Sequence, residues 1–94
     1  MAQYAVVGLG RFGATLALQL MRMGHDVVGI DSDRRVIETF ADALTYTAVA
    51  DVTDERALRE LNLTVYDAVV IAIGENLQAS LLCVVHLKNM GIDN

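Results

Sequence analysis

The stretch YAVVGLGRFGATLALQLMRMG, residues 4–24, begins as an apolar run, passes through three glycines and continues with apolar residues at helical spacing. An apolar run with little alternation predicts a parallel strand covered on both faces, which we place at Gln3–Val7. Apolar residues three or four positions apart predict a helix over Arg11–Met23, which Gly24 ends. The apolar face predicted for this helix comprises Phe12, Leu16, Leu20 and Met23, with Leu18 and Met21 beside them.

The remainder of the chain repeats the alternation of strand and helix. Strands are predicted at residues 26–30, 45–50 and 67–73, and helices at residues 34–44, 55–61 and 76–90. Ser32 or Asp33 is predicted to cap the second helix, and the segment 51–55 the third. This alternation predicts a Rossmann-like, doubly wound α/β fold with a parallel sheet. Because a fifth strand is expected to begin where the sequence stops, we expect one domain over 1–94, truncated after its fourth strand and helix.

Composition narrows the class of protein. The 94 residues are 54% apolar with a mean hydropathy of +0.42, and they carry a net charge of −5. A general nucleic-acid surface needs the opposite sign of charge, so nucleic acid is not an expected partner. Neither a signal peptide nor a membrane-spanning run is visible, and Cys83 is the only cysteine. A cytoplasmic domain without an internal disulfide is the expectation.

The three glycines have the spacing and the context of a phosphate-binding loop. They follow a predicted strand and open a predicted helix, in the pattern Gly8-x-Gly10-x-x-Gly13. The first glycine permits the tight turn, the second permits phosphate oxygens to approach the main chain, and the third permits close packing of helix and strand. The helix amino terminus then holds a pyrophosphate. A turn that only connects strand to helix is the alternative, and the context favours binding.

Two charged residues strengthen this interpretation. Asp31 ends the second predicted strand about 20 residues after Gly10, where a carboxylate binds ribose hydroxyls and repels a 2′-phosphate. Its alternative role is a helix cap, which Asp33 can fill instead. Arg11 stands at the mouth of the first helix, where its guanidinium can bind phosphate oxygens, including the terminal phosphate of ATP. The alternative for Arg11 is a solvated side chain placed unfavourably with respect to the helix dipole.

Two further loops follow strand ends and belong to the same predicted edge of the sheet. Asp51 and Thr53 follow the third strand, and Asp51 can accept a hydrogen bond from an adenine amino group or cap the next helix; both possibilities stay open. Gly74 and Asn76 follow the fourth strand. A ligand contact at Asn76 is possible there, although a helix cap is the favoured interpretation.

The sequence offers little for catalysis. His25 lies in the turn after the first helix, away from the strand carboxyl ends, and His86 lies among apolar residues of the last helix. No Cys/His cluster has the spacing of a metal site, and the Walker lysine pattern is absent from the sequence. Binding without catalysis is therefore predicted, and the chain is not expected to be an enzyme.

Four motifs in order resemble one known family, the amino-terminal lobe of RCK (KTN) domains. These motifs are Val6–Gly13, Asp31 after residues 27–30, Ala50–Glu55 and Ala72–Asn76, and the resemblance runs through the whole chain. Such domains are cytosolic nucleotide-binding subunits or gating rings of bacterial potassium transporters and channels of the Ktr and Trk type. The resemblance implies a regulatory ligand, ATP, ADP or NAD(H), and a membrane-embedded potassium transporter or channel as partner. It also implies dimers and octameric rings at the inner face of the membrane.

Carried over residue by residue, the resemblance implies a nucleotide site made of four segments. The phosphate loop is Gly8, Leu9, Gly10, Arg11, Phe12 and Gly13; the ribose position is Asp31 with Ser32; the adenine side is Asp51, Val52 and Thr53; the fourth-strand loop is Ala72, Ile73, Gly74, Glu75 and Asn76. The apolar last helix, with Leu82 and Val85, is a hypothetical dimer contact whose alternative is core packing.

Two other functions stay open on the sequence. The chain can be the cofactor half of an NAD-dependent dehydrogenase or reductase, in which case a substrate domain must follow it. It can also be a Rossmann-like module that only associates with other chains, in which case it binds no adenine nucleotide.

Overall fold

A computed structural model describes residues 2–72 of the chain. Four parallel strands form one sheet in the order β3-β2-β1-β4. The strands are β1 (Gln3–Val7), β2 (Asp26–Asp31), β3 (Tyr46–Val49) and β4 (Ala68–Ile71). The helices are α1 (Arg11–Arg22), α2 (Arg34–Phe40) and α3 (Glu55–Glu60), and a 3₁₀ turn, Leu63–Val65, precedes β4. The predicted Rossmann-like α/β fold is confirmed. The predicted last helix, with Cys83, His86 and the hypothetical dimer contact, lies outside the described residues.

Strand β1 is the centre of this sheet, and its sequence explains why. It pairs with β2 on one side and with β4 on the other, so that Val7 lies opposite both Ile30 and Ile71. Ala5, Val6 and Val7 are completely buried. A strand covered on both faces needs apolar residues at consecutive positions rather than alternating ones, as this run has.

Two apolar cores lie on opposite faces of the sheet. The core on the α3 face contains Ala5, Val7, Val28, Ile30, Val52, Leu58, Leu63 and Val69. The core on the face of α1 and α2 contains Val6, Leu9, Ala17, Val27, Ile37 and Leu44. Each fully buried valine, leucine or isoleucine contributes about 1.5–3 kcal/mol relative to an exposed one. Burial on both faces accounts for the high apolar content of so short a chain.

The predicted buried face of α1 is wrong at both ends. Phe12 is 69% exposed and Met23 is 60% exposed, whereas the buried residues of the helix are Gly13 and Ala17. Small residues face the sheet because the helix axis lies close to the strands, and this rotates the larger apolar side chains toward the flanks. Leu18, Leu20 and Met21 of the predicted face are partly buried and pack against the core, so helical spacing was wrong at the two ends of the face and not along its middle.

The predicted helix ends also need correction. Helix α2 ends at Phe40, short of residue 44, and a turn in which the Ala43 N–H donates to the Phe40 carbonyl follows it. Asp33, and not Ser32, caps α2 by accepting from the Arg35 N–H at 2.9 Å. The sequence did not predict the 3₁₀ turn Leu63–Val65, whose Leu63 side chain is buried in the core.

Candidate functional site

The parallel register brings the predicted site segments to one edge of the sheet. Gly8 follows β1, Asp31 ends β2, Asp51 lies two residues past β3 and Ala72 follows β4, so all of them lie at strand carboxyl ends. Hydrogen bonds carry the pairing into these loops: the Gly8 N–H donates to the Ile30 carbonyl at 2.7 Å, and the Ala72 N–H donates to the Val7 carbonyl at 2.7 Å. Ile73, Gly74, Glu75 and Asn76 lie outside the described residues.

Two of the three loop glycines are required by the fold itself. Gly8 has a φ of +96°, a conformation that residues with a side chain rarely adopt. A Cβ on Gly13 would lie 1.8 Å from the carbonyl oxygen of Gly8 and 3.2 Å from Cβ of Ala72. Gly13 therefore lets α1 begin directly against the strand and loop that precede it.

Within the described residues, neither backbone conformation nor packing requires a glycine at position 10. Its φ of −70° is ordinary for any residue, and a Cβ there would meet no heavy atom within 4 Å. The absent side chain leaves open space beside the main chain at the start of α1. A group from outside the chain, such as a phosphate, can therefore approach the backbone at Gly10.

The amino terminus of α1 differs from those of the other two helices. Asp33 caps α2 and Asp54 caps α3, each through a side-chain oxygen that accepts a backbone N–H. Gly10 provides no side-chain cap for α1, and the first turn of α1 contains no acidic residue. The N–H groups and the positive end of the helix dipole at this position are thus available to an external anion.

Arg11 adds a full positive charge at this helix end. Its side chain is exposed and forms no ion pair with any residue between 2 and 72. A cation at a helix amino terminus is unfavourable by about 0.3–1 kcal/mol. A phosphate bound at the open N–H groups would offset this cost, because a guanidinium is attracted to phosphate oxygens.

Asp31 connects the end of β2 to the glycine loop. Its Oδ2 accepts from the Leu9 N–H at 2.8 Å, and its Oδ1 accepts from the Asp33 N–H at 2.9 Å. The side chain is half-buried, while Ser32 beside it is exposed. Asp31 is consequently not the cap of α2, and its carboxylate is fixed at the edge of the sheet beside the loop.

Sequence reasoning assigned no structural role to Leu9. Its side chain is 2% exposed and belongs to the core on the α1 and α2 face, while its N–H binds Asp31. The signal was available in the sequence, since an apolar residue between two glycines of a loop has a reason to be buried. The buried Leu9 side chain anchors the loop to the core, and the Asp31 carboxylate holds the loop backbone by a hydrogen bond.

The segment after β3 forms a compact turn around Asp51. Asp51 Oδ1 accepts from the Thr53 hydroxyl at 2.6 Å and from the Thr53 N–H at 2.9 Å. These bonds, the hydroxyl first, lower the pKa of Asp51 below its usual value. Asp51 does not cap α3, because Asp54 does so; this corrects one of its two predicted roles. Val52 between them is buried against the α3-face core.

A separate cavity of about 310 Å³ opens at the opposite, amino-terminal end of the strands. Its lining comprises Gln3, Asp26, Val27, Val28, Thr45, Tyr46, Val65 and Tyr66. His25 lies at this end too, where its Nδ1 accepts from the Ala2 N–H at 3.1 Å and its ring meets that of Tyr4 edge-on at 5.2 Å. The predicted position of His25 away from the strand carboxyl ends is confirmed.

Residues 2–72 provide neither a metal-binding cluster nor a membrane-spanning helix. In that part of the chain, no group of three His, Cys, Asp or Glu side chains is placed to hold a metal ion. None of the helices described there is long and apolar enough to cross a membrane.

The sheet order and the glycine loop together define a Rossmann-like α/β domain. The sequence profile of the TrkA-N domain matches residues 4–93, so the chain belongs to the TrkA-N domain family. This confirms the family resemblance drawn from the four motifs.

Three relatives of this chain are named as potassium-uptake proteins of the Ktr system. The chain is 39% identical over 92 residues to Ktr system potassium uptake protein A of Bacillus subtilis (strain 168), covering 98% of this chain and 41% of that protein. It is 37% identical over 90 residues to Ktr system potassium uptake protein A of Vibrio alginolyticus, covering 96% of this chain and 41% of that protein. The chain therefore spans less than half the length of these relatives.

Two solved structures have the same fold as this chain, and one of them is also similar to it in sequence. The NAD(P)-binding domain of an exopolyphosphatase-related protein from Archaeoglobus fulgidus superposes with a TM-score of 0.83 at 29% identity, covering 95% of this chain and 66% of that chain. UDP-glucose-4-epimerase from Stenotrophomonas maltophila superposes with a TM-score of 0.74 at 22% identity, covering 99% of this chain and 35% of that chain. The second likeness concerns the fold alone.

Proposed function

We propose that this chain is a regulatory nucleotide-binding domain of a potassium-uptake system, and that it binds ATP, ADP or NAD(H) at the carboxyl edge of its sheet. The observation that carries the proposal is the start of α1, where Gly10 leaves open space and no side chain caps the helix. Membership of the TrkA-N family and the names of the Ktr relatives support the potassium-uptake role.

Each part of the ligand has a set of candidate contacts at this edge. The pyrophosphate binds at Gly8–Gly13 with Arg11 on its oxygens, and the ribose hydroxyls bind Asp31. The adenine amino group donates to the Asp51 carboxylate, which is ionised at neutral pH and therefore an acceptor. Asp31 also disfavours NADP, since its carboxylate repels a 2′-phosphate.

The ligand acts as a signal and is not turned over. Catalysis of hydride transfer requires a general acid or base beside the nicotinamide, and His25 lies at the other end of the strands. A nucleotide that binds two conformations of the domain with different affinity shifts the equilibrium between them. In this proposal the nucleotide state gates ion flow through a membrane-embedded partner, on which homo-oligomers of the domain assemble at the cytoplasmic face.

Calorimetric titration with ATP, ADP, NAD and NADH tests the proposal. Arg11→Ala is expected to weaken ATP binding about tenfold, because a charge-assisted contact to phosphate contributes about 1.5–3 kcal/mol at most. Arg22→Ala is the matched control, since Arg22 is also exposed but lies in the last turn of the same helix. Failure of the wild-type protein to bind any of the four nucleotides contradicts the proposal and favours a purely associative module.

One observation favours a second candidate function, the cofactor half of an NAD-dependent dehydrogenase or reductase. The Archaeoglobus fulgidus structure, 29% identical to this chain, is named an NAD(P)-binding domain. This candidate predicts that NADH binds best and that Arg11→Ala leaves its affinity unchanged. Selective loss of ATP binding in Arg11→Ala excludes it.

A further inference from the structure

We propose that Asp31 is a positioning residue for the glycine loop as well as a ribose ligand, so that one carboxylate sets both halves of the nucleotide site. This inference rests on the proposed function. It concerns how the loop keeps its shape before any ligand arrives, and it is carried by the hydrogen bond from the Leu9 N–H to Asp31 Oδ2 at 2.8 Å.

The carboxylate has enough acceptor sites for both tasks. Its two oxygens offer about four lone-pair positions in total. One position on Oδ2 is taken by the Leu9 N–H and one on Oδ1 by the Asp33 N–H. Two positions remain, one for each ribose hydroxyl, so ribose binding does not displace Asp31 from the loop.

Among residues 2–72, few other contacts hold the part of the loop that lies away from the sheet. The Gly8 N–H is bound to the Ile30 carbonyl and the Leu9 side chain is buried, so the loop is fixed where it meets the sheet. Gly10, one residue further on, is exposed and has open space beside it. Within the described part of the chain, Asp31 supplies the side-chain hydrogen bond to the backbone between these two points, at the Leu9 N–H. Without it, the N–H groups that face the phosphates are free to change direction.

The two possible roles predict opposite results for a nucleotide that lacks ribose hydroxyls. The probe is 2′,3′-dideoxy-ATP, compared with ATP by calorimetry on the wild-type protein and on Asp31→Ala. If Asp31 acts only through the hydroxyls, the substitution leaves dideoxy-ATP affinity unchanged or raises it slightly, because a negative charge near the phosphates is removed. If Asp31 also positions the loop, dideoxy-ATP affinity falls about tenfold in spite of that charge effect.

Asp33→Ala is the matched control. It removes one carboxylate from the same turn and also deprives a backbone N–H of its acceptor, but it does not touch the loop. We expect it to leave dideoxy-ATP affinity within about twofold of the wild type. An equal loss in both variants overturns the positioning role.

Amide hydrogen exchange on the ligand-free protein supplies a readout that needs no nucleotide. The Leu9 amide is expected to exchange slowly in the wild type and in Asp33→Ala, and about tenfold faster in Asp31→Ala or, should that variant fail to fold, in Asp31→Val, which also lacks an acceptor for this N–H. Unchanged Leu9 exchange overturns the inference. If the wild type binds none of ATP, ADP, NAD and NADH, the proposed function fails, and the Leu9 amide still reports separately whether Asp31 holds the loop.

Discussion

Replacing Gly13 with alanine is expected to destabilise the protein by about 2 kcal/mol, although the same change stabilises most helices. The added Cβ would lie 1.8 Å from the Gly8 carbonyl oxygen and 3.0 Å from the Gly8 carbonyl carbon. Both atoms belong to the backbone and cannot rotate away. Helix α1 must therefore shift away from the loop by about 1 Å or more, and overpacking of this kind costs about 1–3 kcal/mol, occasionally more.

A favourable term opposes this cost but is smaller. Alanine is better than glycine within a helix by about 1 kcal/mol. Taking a cost at the upper end of the overpacking range, because the clash is with main-chain atoms, leaves a net loss of about 2 kcal/mol. In a domain of this size that loss lowers the melting temperature by about 10 °C.

Thermal and urea unfolding of Gly13→Ala and Gly10→Ala side by side test this reasoning. A Cβ on Gly10 meets no atom within 4 Å, and the poorer capping by alanine is opposed by the lower entropy of its unfolded chain, so we expect that variant to unfold within about 1 kcal/mol of the wild type. Its expected defect is in nucleotide affinity, because the methyl group fills the space that a phosphate approaches. A Gly13→Ala protein with an unchanged melting temperature refutes the packing argument, and a Gly10→Ala protein with unchanged nucleotide affinity refutes the phosphate argument.

Three other substitutions test separate parts of the structure. Thr53→Val removes the hydroxyl that lowers the pKa of Asp51, so that pKa should rise toward its usual value in a carboxyl NMR titration; no rise would contradict the hydrogen-bond cause. Since the folded-state pKa of Asp51 is lowered, its stabilising contribution is present above the unfolded-state pKa and is lost as the pH falls through the folded-state value, and Thr53→Val should flatten this acid dependence in urea unfolding. Leu58→Ala, at a residue with 0% exposure, should lower the free energy of unfolding by about 2–5 kcal/mol, and a loss below 1 kcal/mol would show that the α3-face core is loosely packed. Asp33→Ala should lower it by about 1 kcal/mol through the lost α2 cap, whereas Asp33→Asn, which keeps the cap, should not.

The sequence was sufficient to predict the order of elements and the edge at which the candidate site lies. Apolar runs such as Val6–Val7 identify buried strands, and parallel strands necessarily bring their carboxyl ends to one side. Glycine and aspartate at those ends then mark the loops. This part of the fold follows from local patterns, and the described strands start and end within two residues of their predicted limits.

The rotation of α1 could not be predicted from local patterns. Phe12 fits the apolar face by spacing, yet it is exposed, because Gly13 packs so closely against the Gly8 carbonyl that a Cβ there would lie 1.8 Å from its oxygen, and this fixes which side of the helix meets the strand. That contact joins residues of the loop and the helix in three dimensions. The fully buried residues of α1 are its small ones, Gly13 and Ala17, while Leu18, Leu20 and Met21 pack beside them as partly buried residues, and the third glycine of the loop was the sign of this close packing in the sequence.

Hydrogen bonds between distant positions were also beyond local reasoning. Asp31 was predicted as a ribose ligand with a cap as its alternative, but its partners are the Leu9 and Asp33 N–H groups, one of which is 22 positions away. Asp51 was left between an adenine contact and a cap, and Asp54 fills the cap. In both places a second aspartate takes the structural task, which leaves the first available for a ligand.

The glycine loop contains two kinds of residue. Some are explained by the packing or the backbone conformation of the fold, and others are not. Gly8, Leu9 and Gly13 are explained by a positive φ, a buried side chain and a close backbone approach. Gly10 and Arg11 have no such explanation within residues 2–72. An asparagine, aspartate or serine in place of Gly10 would cap α1 and add a few tenths of a kcal/mol, and a neutral residue in place of Arg11 would remove about 0.3–1 kcal/mol of unfavourable interaction with the helix dipole. Both departures from the most stable choice act at the same helix end, and both favour a bound anion, which is the strongest argument in the described structure that this end of the domain binds phosphate.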